Sequence, residues 1–325
     1  MEYRPLGRTG LEVSAVGLGG NVFGGARLDR AQSVRNIHHA LAEGINFIDT
    51  AYLYNDGDSE TFVGEATRDR RESVLIATKF HLIGMQDGEQ PAARIRSHVE
   101  TSLRRLQTDR IDLLQIHFPA TDYPHEAILE PLAGLVAAGK VRALGQCNYA
   151  AWRHVQSDLA AAAMGAPTFG VAQNQYNLLH RSPELELLGM CRARGVGFLP
   201  YFPLAGGFLS GKYRPGEPPP PGSRGAAESP VIRRARSHGN EEVVQALQAW
   251  AGERGHGLLD LAFAWLLGEP AVASVIAGTM SIAQIDGNIA AATWRLTADE
   301  RAEVSAIAGW DGDRHPVEPT LDFFR

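Results

Sequence analysis

Cysteine is nearly absent: 325 residues hold two, Cys147 and Cys191. Two thiols cannot build the disulfide framework that staples small secreted domains, so a reducing cytoplasm is the expected setting. Excess positive charge is missing too. A net charge of −6 leaves no basic footprint and argues against nucleic acid as a partner. No uninterrupted apolar run reaches membrane-spanning length, so no membrane segment is expected. The opening MEYRPLGRTG has no charged start followed by an apolar stretch, and no signal peptide is read there. Paired histidines at the ends of apolar runs are lacking. His38 and His39 fall in a helical pattern and His117 stands by itself, so no metal is expected. Also absent is a dinucleotide-binding glycine fingerprint: GLGGNVFGG (17–25) has the glycines without the G-x-G-x-x-G register. These exclusions leave a cytoplasmic globular chain, 44% apolar and 21% charged, expected to form one domain over residues 1–325.

What is present is an alternation. Short apolar runs occupy 13–19 (VSAVGLG), 45–51 (INFIDTA), 73–80 (SVLIATKF), 111–118 (IDLLQIHF), 141–148 (VRALGQCN), 169–176 (FGVAQNQY), 196–202 (VGFLPYF) and 273–278 (ASVIAG). Several are nearly continuous in apolar residues, as expected of parallel strands covered on both faces. Between them lie stretches with helical periodicity. In 30–43 Val34, Ile37, Ala40 and Leu41 share one face, and in 124–138 Ile128, Leu129, Leu132 and Leu135 do the same. The same pattern marks 92–106, 150–163, 240–254, 258–268, 281–292 and 298–308. Ser182-Pro183-Glu184 reads as an N-cap serine ahead of a proline at the first helical position. Eight strands alternating with helices predict a (β/α)8 TIM barrel; a doubly wound sheet is the alternative that the missing fingerprint disfavours. Ahead of the barrel, Gly7-Arg8-Thr9-Gly10 is a turn between EYRPL and LEVSAV, predicting an N-terminal β-hairpin that closes the barrel's bottom. Residues 212–237 break the rhythm, with six Lys/Arg against two Glu among many Pro and Gly. They form a long loop after strand seven, too long for an ordinary connection and therefore either functional or disordered.

Barrel enzymes carry their chemistry at the C-terminal rim of the strands. There the runs end in Asp49 with Tyr54 just beyond, Lys79, His117, Cys147-Asn148, Gln173, Tyr201 and Gly278-Thr279. Singly, each has a structural reading: His117 as a hydrogen-bonded core histidine, Lys79 as a rim lysine, Asp49 as a cap. Four titratable residues on three consecutive strands, all at one end, would meet in one small volume, and coincidence explains that poorly. A free phenol has a pKa near ~10, too high for a good proton donor at neutral pH. An ammonium beside it lowers that value and a carboxylate holds the ammonium, so Asp–Lys–Tyr makes a tyrosine a usable general acid. A neighbouring histidine fixes a carbonyl oxygen. The group suits carbonyl reduction, with hydride arriving from a bound cofactor.

At these residues the sequence resembles the aldo-keto reductase superfamily, in its bacterial-type members. The motifs are PLGRTGLEVSAVGLGG, GINFIDTAYLYNDGDSE, IATK, DLLQIH, GKVRALGQCNY, QNQYNLLHR, PLAGGFLSGKY and VIAGTMSIAQIDGNIAA, in order over nearly the whole chain. The resemblance implies a (β/α)8 barrel that reduces an aldehyde or ketone with NADPH, NADH being the alternative. Its tetrad falls on Asp49, Tyr54, Lys79 and His117, and its DTA-x-x-Y pattern selects Tyr54 over Tyr52 as the proton donor. Its Ser-Asn and Gln grip on the nicotinamide carboxamide falls on Cys147, Asn148 and Gln173, so a thiol, a weaker donor, replaces one hydroxyl. Tyr201 matches the aromatic stacked on the nicotinamide, and Phe202 stands where a serine often reaches the pyrophosphate. Pro203, Leu204, Ala205, Gly207 and Lys212 match the loop around the pyrophosphate, with Arg224 joining it; Gly278, Thr279, Gln284 and Asn288 match the adenosine segment. No cation stands among Gly278, Thr279, Met280 and Gln284, where members that read a 2′-phosphate place one; Arg233, Arg234 and Arg236 are the substitutes at hand.

Candidate pocket walls are Phe23, Tyr52, Phe80, Phe118 and Trp310, which suit an aromatic or aliphatic aldehyde or the apolar face of a sugar. The expected partner is a small-molecule carbonyl compound. Other readings are a Schiff-base aldolase on Lys79, which has no use for Asn148, Gln173 and Tyr201, and an NAD-dependent sugar dehydrogenase. The superfamily also includes the β subunits of voltage-gated potassium channels, so a cofactor-binding regulatory module is a further alternative.

Overall fold

The computed structural model describes residues 1–214, 216–236 and 239–309. Two short strands, β1 (Tyr3–Pro5) and β2 (Glu12–Ser14), pair antiparallel. Eight more make one parallel sheet: β3 (Val16–Gly19), β4 (Phe47–Asp49), β5 (Leu75–Phe80), β6 (Ile111–Ile116), β7 (Val141–Cys147), β8 (Phe169–Gln175), β9 (Gly197–Tyr201) and β10 (Val275–Ala277). Their order is β10-β3-β4-β5-β6-β7-β8-β9. The ends meet through a parallel bridge between Phe198 and Val272, with Ala273 N–H donating to the Phe198 carbonyl at 3.0 Å. The eight apolar runs are thus the eight strands of a (β/α)8 barrel.

The helices are α1 (Arg30–Ala42), α2 (Asp58–Thr67), α3 (Pro91–Leu106), α4 (His125–Ala137), α5 (Ala151–Ala163), α6 (Leu187–Arg194), α7 (Pro230–Ala235), α8 (Asn240–Gly252), α9 (Leu258–Leu267), α10 (Ile282–Ala291) and α11 (Ala298–Ala308). Two of these, α2 and α7, have no counterpart in the sequence reading; α7 lies within the long loop. The helix start at Ser182-Pro183 is corrected: Ser182–Glu184 is a separate 3-10 turn and α6 begins at Leu187. The reason is side-chain competition. Ser182 Oγ pairs with His180 Nε2 at 2.9 Å instead of capping amides, while Glu184 is held by Arg181 and the Tyr176 hydroxyl.

Alternation along the strands sorts the interior. Outward residues such as Ile48, Ile76, Leu114 and Phe198 join the large core beneath the helices. Inward residues Phe47, Ala77, Leu113, Ala143, Val171, Leu199 and Ile276 fill the lower barrel together with Leu6, Leu11 and Val13 of the hairpin. The hairpin therefore plugs the bottom. Its turn is pinned by Arg8, which donates to Asp158 Oδ2 at 2.5 Å and to the Arg194 carbonyl at 3.0 Å. No described helix is long and apolar enough to cross a membrane.

Candidate active site

One step further along each strand, the inward positions turn polar. Asp49 ends β4, Lys79 lies on β5, Gln115 on β6, Cys147 on β7, Gln173 on β8 and Tyr201 on β9. Parallel register sets Lys79 beside Gln115 and Cys147 beside Gln173. Lys79 Nζ donates to Asp49 Oδ2 at 2.6 Å, to the Thr50 carbonyl at 2.8 Å and to the Tyr54 hydroxyl oxygen at 3.3 Å. The other carboxylate oxygen, Asp49 Oδ1, accepts from Gln173 at 2.9 Å and Gln115 at 3.2 Å. Asp49 and Lys79 are 4% and 1% exposed, so this is a desolvated pair, the kind that survives only with its remaining valences satisfied. The ring centroids of Tyr54 and His117 are 5.7 Å apart, and His117 is backed by Phe118, stacked at 4.4 Å. The four predicted catalytic residues do converge.

The electrostatics correct one expectation. The phenol of Tyr54 was expected to be made more acidic, but its pKa is raised: burial pushes it up and outweighs the opposing pull of Lys79. Tyr54 is therefore a protonated phenol throughout the neutral range. Burial also works against the charge of Lys79, but Asp49, with help from its other neighbours, more than restores it, and the ammonium is held above its ordinary value. His117 is driven well below its ordinary value by burial and then by Lys79, so it is neutral. Burial pushes the Cys147 thiol and the Tyr201 phenol up, which leaves both uncharged.

Tyr54 sits on a segment with unusual backbone. Asn55 (φ 49°), Asp56 (φ 54°) and Gly57 (φ 95°) are all left-handed in succession. For the two non-glycine residues that conformation costs ~1–3 kcal/mol each and persists only where surroundings over-determine it. Asn55 is held by its own side chain, whose Nδ2 donates to the Phe23 carbonyl at 2.7 Å. Asn148, Phe202 and Ala205, at or beyond the ends of β7 and β9, are left-handed as well.

The remaining candidates lie around the same rim. Asn148 Nδ2 donates to the His117 carbonyl at 3.0 Å, and its Oδ1 accepts from Tyr201 at 2.8 Å. Cys147 Sγ is 3.6 Å from Gln115 Oε1 and 3.8 Å from Gln173 Oε1. After β9, Phe202 and Leu204 are half-buried and Pro203 and Ala205 buried. Gly206 packs so tightly that an added Cβ would stand 2.7 Å from Val231, and Gly207 faces the Lys212 ammonium. The Arg224 guanidinium lies 5.9 Å from the Phe202 ring centroid, its pKa pushed down to about 10 by burial and by Arg27. Gln284 is occupied locally, its Oε1 accepting from Met280 N–H at 2.7 Å. Gly278 ends the run after β10, and Asn288 is buried in α10. Of the pocket walls, Phe23 and Phe80 are fully buried within the large core. Tyr52 stacks on His98 at 3.8 Å, and Phe118 backs His117. Trp310 lies outside the described residues. His38 and His39 are spent on the Ala66 carbonyl and Asp286.

The sequence reading passed over Gln115. Its signal was there: in IDLLQIHF, alternation from inward Leu113 places residue 115 in the same layer as Asp49. Several polar atoms are buried without a partner, among them Thr279 Oγ1, His117 Nδ1 and Gln175 Oε1. Buried polar atoms of this kind demand a partner, and their positions at strand ends and in the Gly278–Asn288 segment fit a ligand with polar groups at both ends, such as a dinucleotide.

A protonated phenol beside a buried ammonium is equipment for giving a proton to oxygen, which places the molecule among barrel oxidoreductases. The family model described as the aldo/keto reductase family matches residues 15–308, and the chain belongs to that family. It is 34% identical over 305 residues to the Bacillus subtilis oxidoreductase YrpG, covering 90% of this chain and 91% of that protein. It is 33% identical to the aldo-keto reductase YhdN of the same organism, with 94% and 93% covered. A probable voltage-gated potassium channel subunit beta of Arabidopsis thaliana is 31% identical, with 90% and 91% covered.

Proposed function

We propose that the chain reduces an aldehyde or ketone to the alcohol with NAD(P)H, Tyr54 acting as general acid. One observation carries this reading: Lys79 donates both to Asp49 and to the oxygen of Tyr54. Because that phenol oxygen accepts from the ammonium, its own proton is left for another acceptor, the substrate oxygen.

The chain's residues act in the following way. His117, neutral, hydrogen-bonds the carbonyl oxygen and fixes it near Tyr54. The bound dinucleotide supplies the hydride. As the substrate oxygen gains negative charge it becomes a far stronger base than a phenolate, so even the raised pKa of Tyr54 permits transfer of its proton. Lys79 faces the phenolate left behind, and Asp49, its carboxylate accepting from Lys79 on one oxygen and from Gln115 and Gln173 on the other, keeps the ammonium charged and in place. Asn148 and Gln173 would hold the nicotinamide amide, Tyr201 would lie against its ring, Phe202, Pro203, Leu204, Ala205, Gly207, Lys212 and Arg224 would wrap the pyrophosphate, and Gly278, Thr279, Gln284 and Asn288 would hold the adenosine end. NADPH is the dinucleotide the resemblance favours. Since Gly278, Thr279, Met280 and Gln284 carry no charge, Arg233, Arg234 or Arg236 would have to supply the cation for a 2′-phosphate, Arg236 being paired with Glu241.

Fluorescence titration with NADPH and with NADH, followed by cofactor consumption over a panel of aromatic, aliphatic and sugar aldehydes, tests the proposal. Turnover dependent on Tyr54 is the expected result. The similarity to a potassium channel β subunit supports a second reading, a cofactor-binding regulatory module. Tight cofactor binding with no turnover of any aldehyde would favour that reading and sink the first.

A further inference from the structure

The segment carrying Tyr54 is held by Asn55 on one side, by the Tyr52 N–H on the Lys79 carbonyl, and by a side chain from a distant helix. The segment's three left-handed residues precede α2, and the space where a Cβ of Gly57 would stand is filled by the guanidinium of Arg105, 2.3 Å from that point. Arg105 comes from the last turn of α3, on the far side of the segment. Its Nη1 donates to the Tyr52 carbonyl at 2.9 Å and to Glu60 Oε2 at 3.1 Å, and its Nη2 reaches the Asp56 carbonyl at 3.4 Å. The Tyr52 ring lies 4.7 Å from Arg105 Cζ. Glu60 is completely buried, and its other oxygen accepts from Thr78 Oγ1 at 2.6 Å. Thr78 is the residue before Lys79.

We propose that Arg105 is a positioning residue for the reduction assigned above, setting the distance between the hydroxyl of Tyr54 and the ammonium of Lys79. The inference rests on that reading of the site. The argument is that one guanidinium references both partners of the critical contact. Through the carbonyls on either side of Tyr54 it fixes the phenol; through Glu60 and Thr78 it is tied to the strand that carries Lys79. An ordinary helix-to-loop ion pair needs only the carboxylate. Here the planar fork is used on two carbonyls and a carboxylate at once, a pattern that an ammonium on a flexible stem does not reproduce. The backbone it grips is the part least able to keep its shape alone.

The test compares Arg105→Met/Glu60→Gln with the wild type, the second change removing the carboxylate that would otherwise be buried uncompensated. Expected results are a melting temperature near that of the wild type and a Kd for the cofactor, read by fluorescence, unchanged within about twofold. The kcat for 4-nitrobenzaldehyde should fall by about 10²-fold, the scale of a misplaced reacting group. Reductant deuterated at the transferred position should show a larger isotope effect on kcat than in the wild type, since proton and hydride transfer become limiting. Loss of folded protein alone would lower activity without moving that ratio. Arg105→Lys, which keeps the charge opposite Glu60 but loses the fork, provides a second measurement: its kcat should also fall and its isotope effect rise. A folded double variant, or Arg105→Lys, with wild-type kcat and isotope effect would overturn the proposal and leave the reduction reading standing. Absence of turnover in the wild type, with cofactor bound, would overturn both.

Discussion

The same barrel strands carry two layers of opposite character. In the lower layer Phe47, Ala77, Leu113, Val171 and Leu199 meet the hairpin's Leu6, Leu11 and Val13 in a wholly apolar packing. Two residues further along each strand, the inward positions are Asp49, Lys79, Gln115, Gln173 and Tyr201; the first four are joined by hydrogen bonds through the Asp49 carboxylate, and Tyr201 donates to Asn148. Both layers are buried, but burial does different things to them. Below, removing water is the stabilising event. Above, it is a cost that every charge and amide must offset with partners, and the same cost raises the pKa of Tyr54 and lowers that of His117.

Substitutions that separate the layers should separate stability from activity. The largest effect on rate is expected from Tyr54→Phe, which removes the proton donor while leaving the ring: reduction should fall by roughly 10²–10⁴-fold, with cofactor affinity by fluorescence retained. Normal turnover in that variant would sink the assignment. Lys79→Met crosses both properties. It should abolish reduction and, by leaving Asp49 buried with only the two glutamine amides, cost about 3–5 kcal/mol in denaturant unfolding. Leu113→Ala in the lower layer should cost ~2–5 kcal/mol through the cavity it leaves, while kcat per folded molecule is preserved. A parallel loss of kcat at low temperature, where the protein remains folded, would show that the layers are not independent.

The smallest effect is on acid sensitivity. Burial, with His81 and Arg94 nearby, pushes His98 down to about 4, and His117 is also held low. A group whose folded pKa is depressed contributes stability above its unfolded value near ~6.5 and loses it as pH falls, because the unfolded chain binds the proton more readily. The melting temperature should therefore decline between pH 6.5 and about 4. His98→Phe, which keeps a ring against Tyr52, should flatten that decline, and an unchanged slope would place the sensitivity elsewhere.

Much of the architecture was legible without coordinates because parallel strands covered on both faces write continuous apolar runs, and all eight runs became barrel strands. Asp49, Lys79 and His117 were legible for a related reason, each standing at the rim end of a run, whereas Tyr54 lies beyond its run and was singled out by the DTA-x-x-Y pattern. Helix α2, in DSETFVGEAT, was not: it is short, contains Gly64 and follows directly on the turn-forming residues Asn55, Asp56 and Gly57. The start of α6 was misread because Ser182 had a better partner in His180 than in the helix amides.

By itself, then, the sequence determined which segments are strands, in what order, and which side chains stand at their ends, because periodicity and chain order are local properties. Tertiary structure alone decided that the phenol of Tyr54 is less acidic than a free one, that Gln115 shares the carboxylate of Asp49, and that Arg105 grips Tyr52 across 53 positions of chain. Desolvation and long-range contact are sums over neighbours distant in sequence, and only the folded barrel brings those neighbours together.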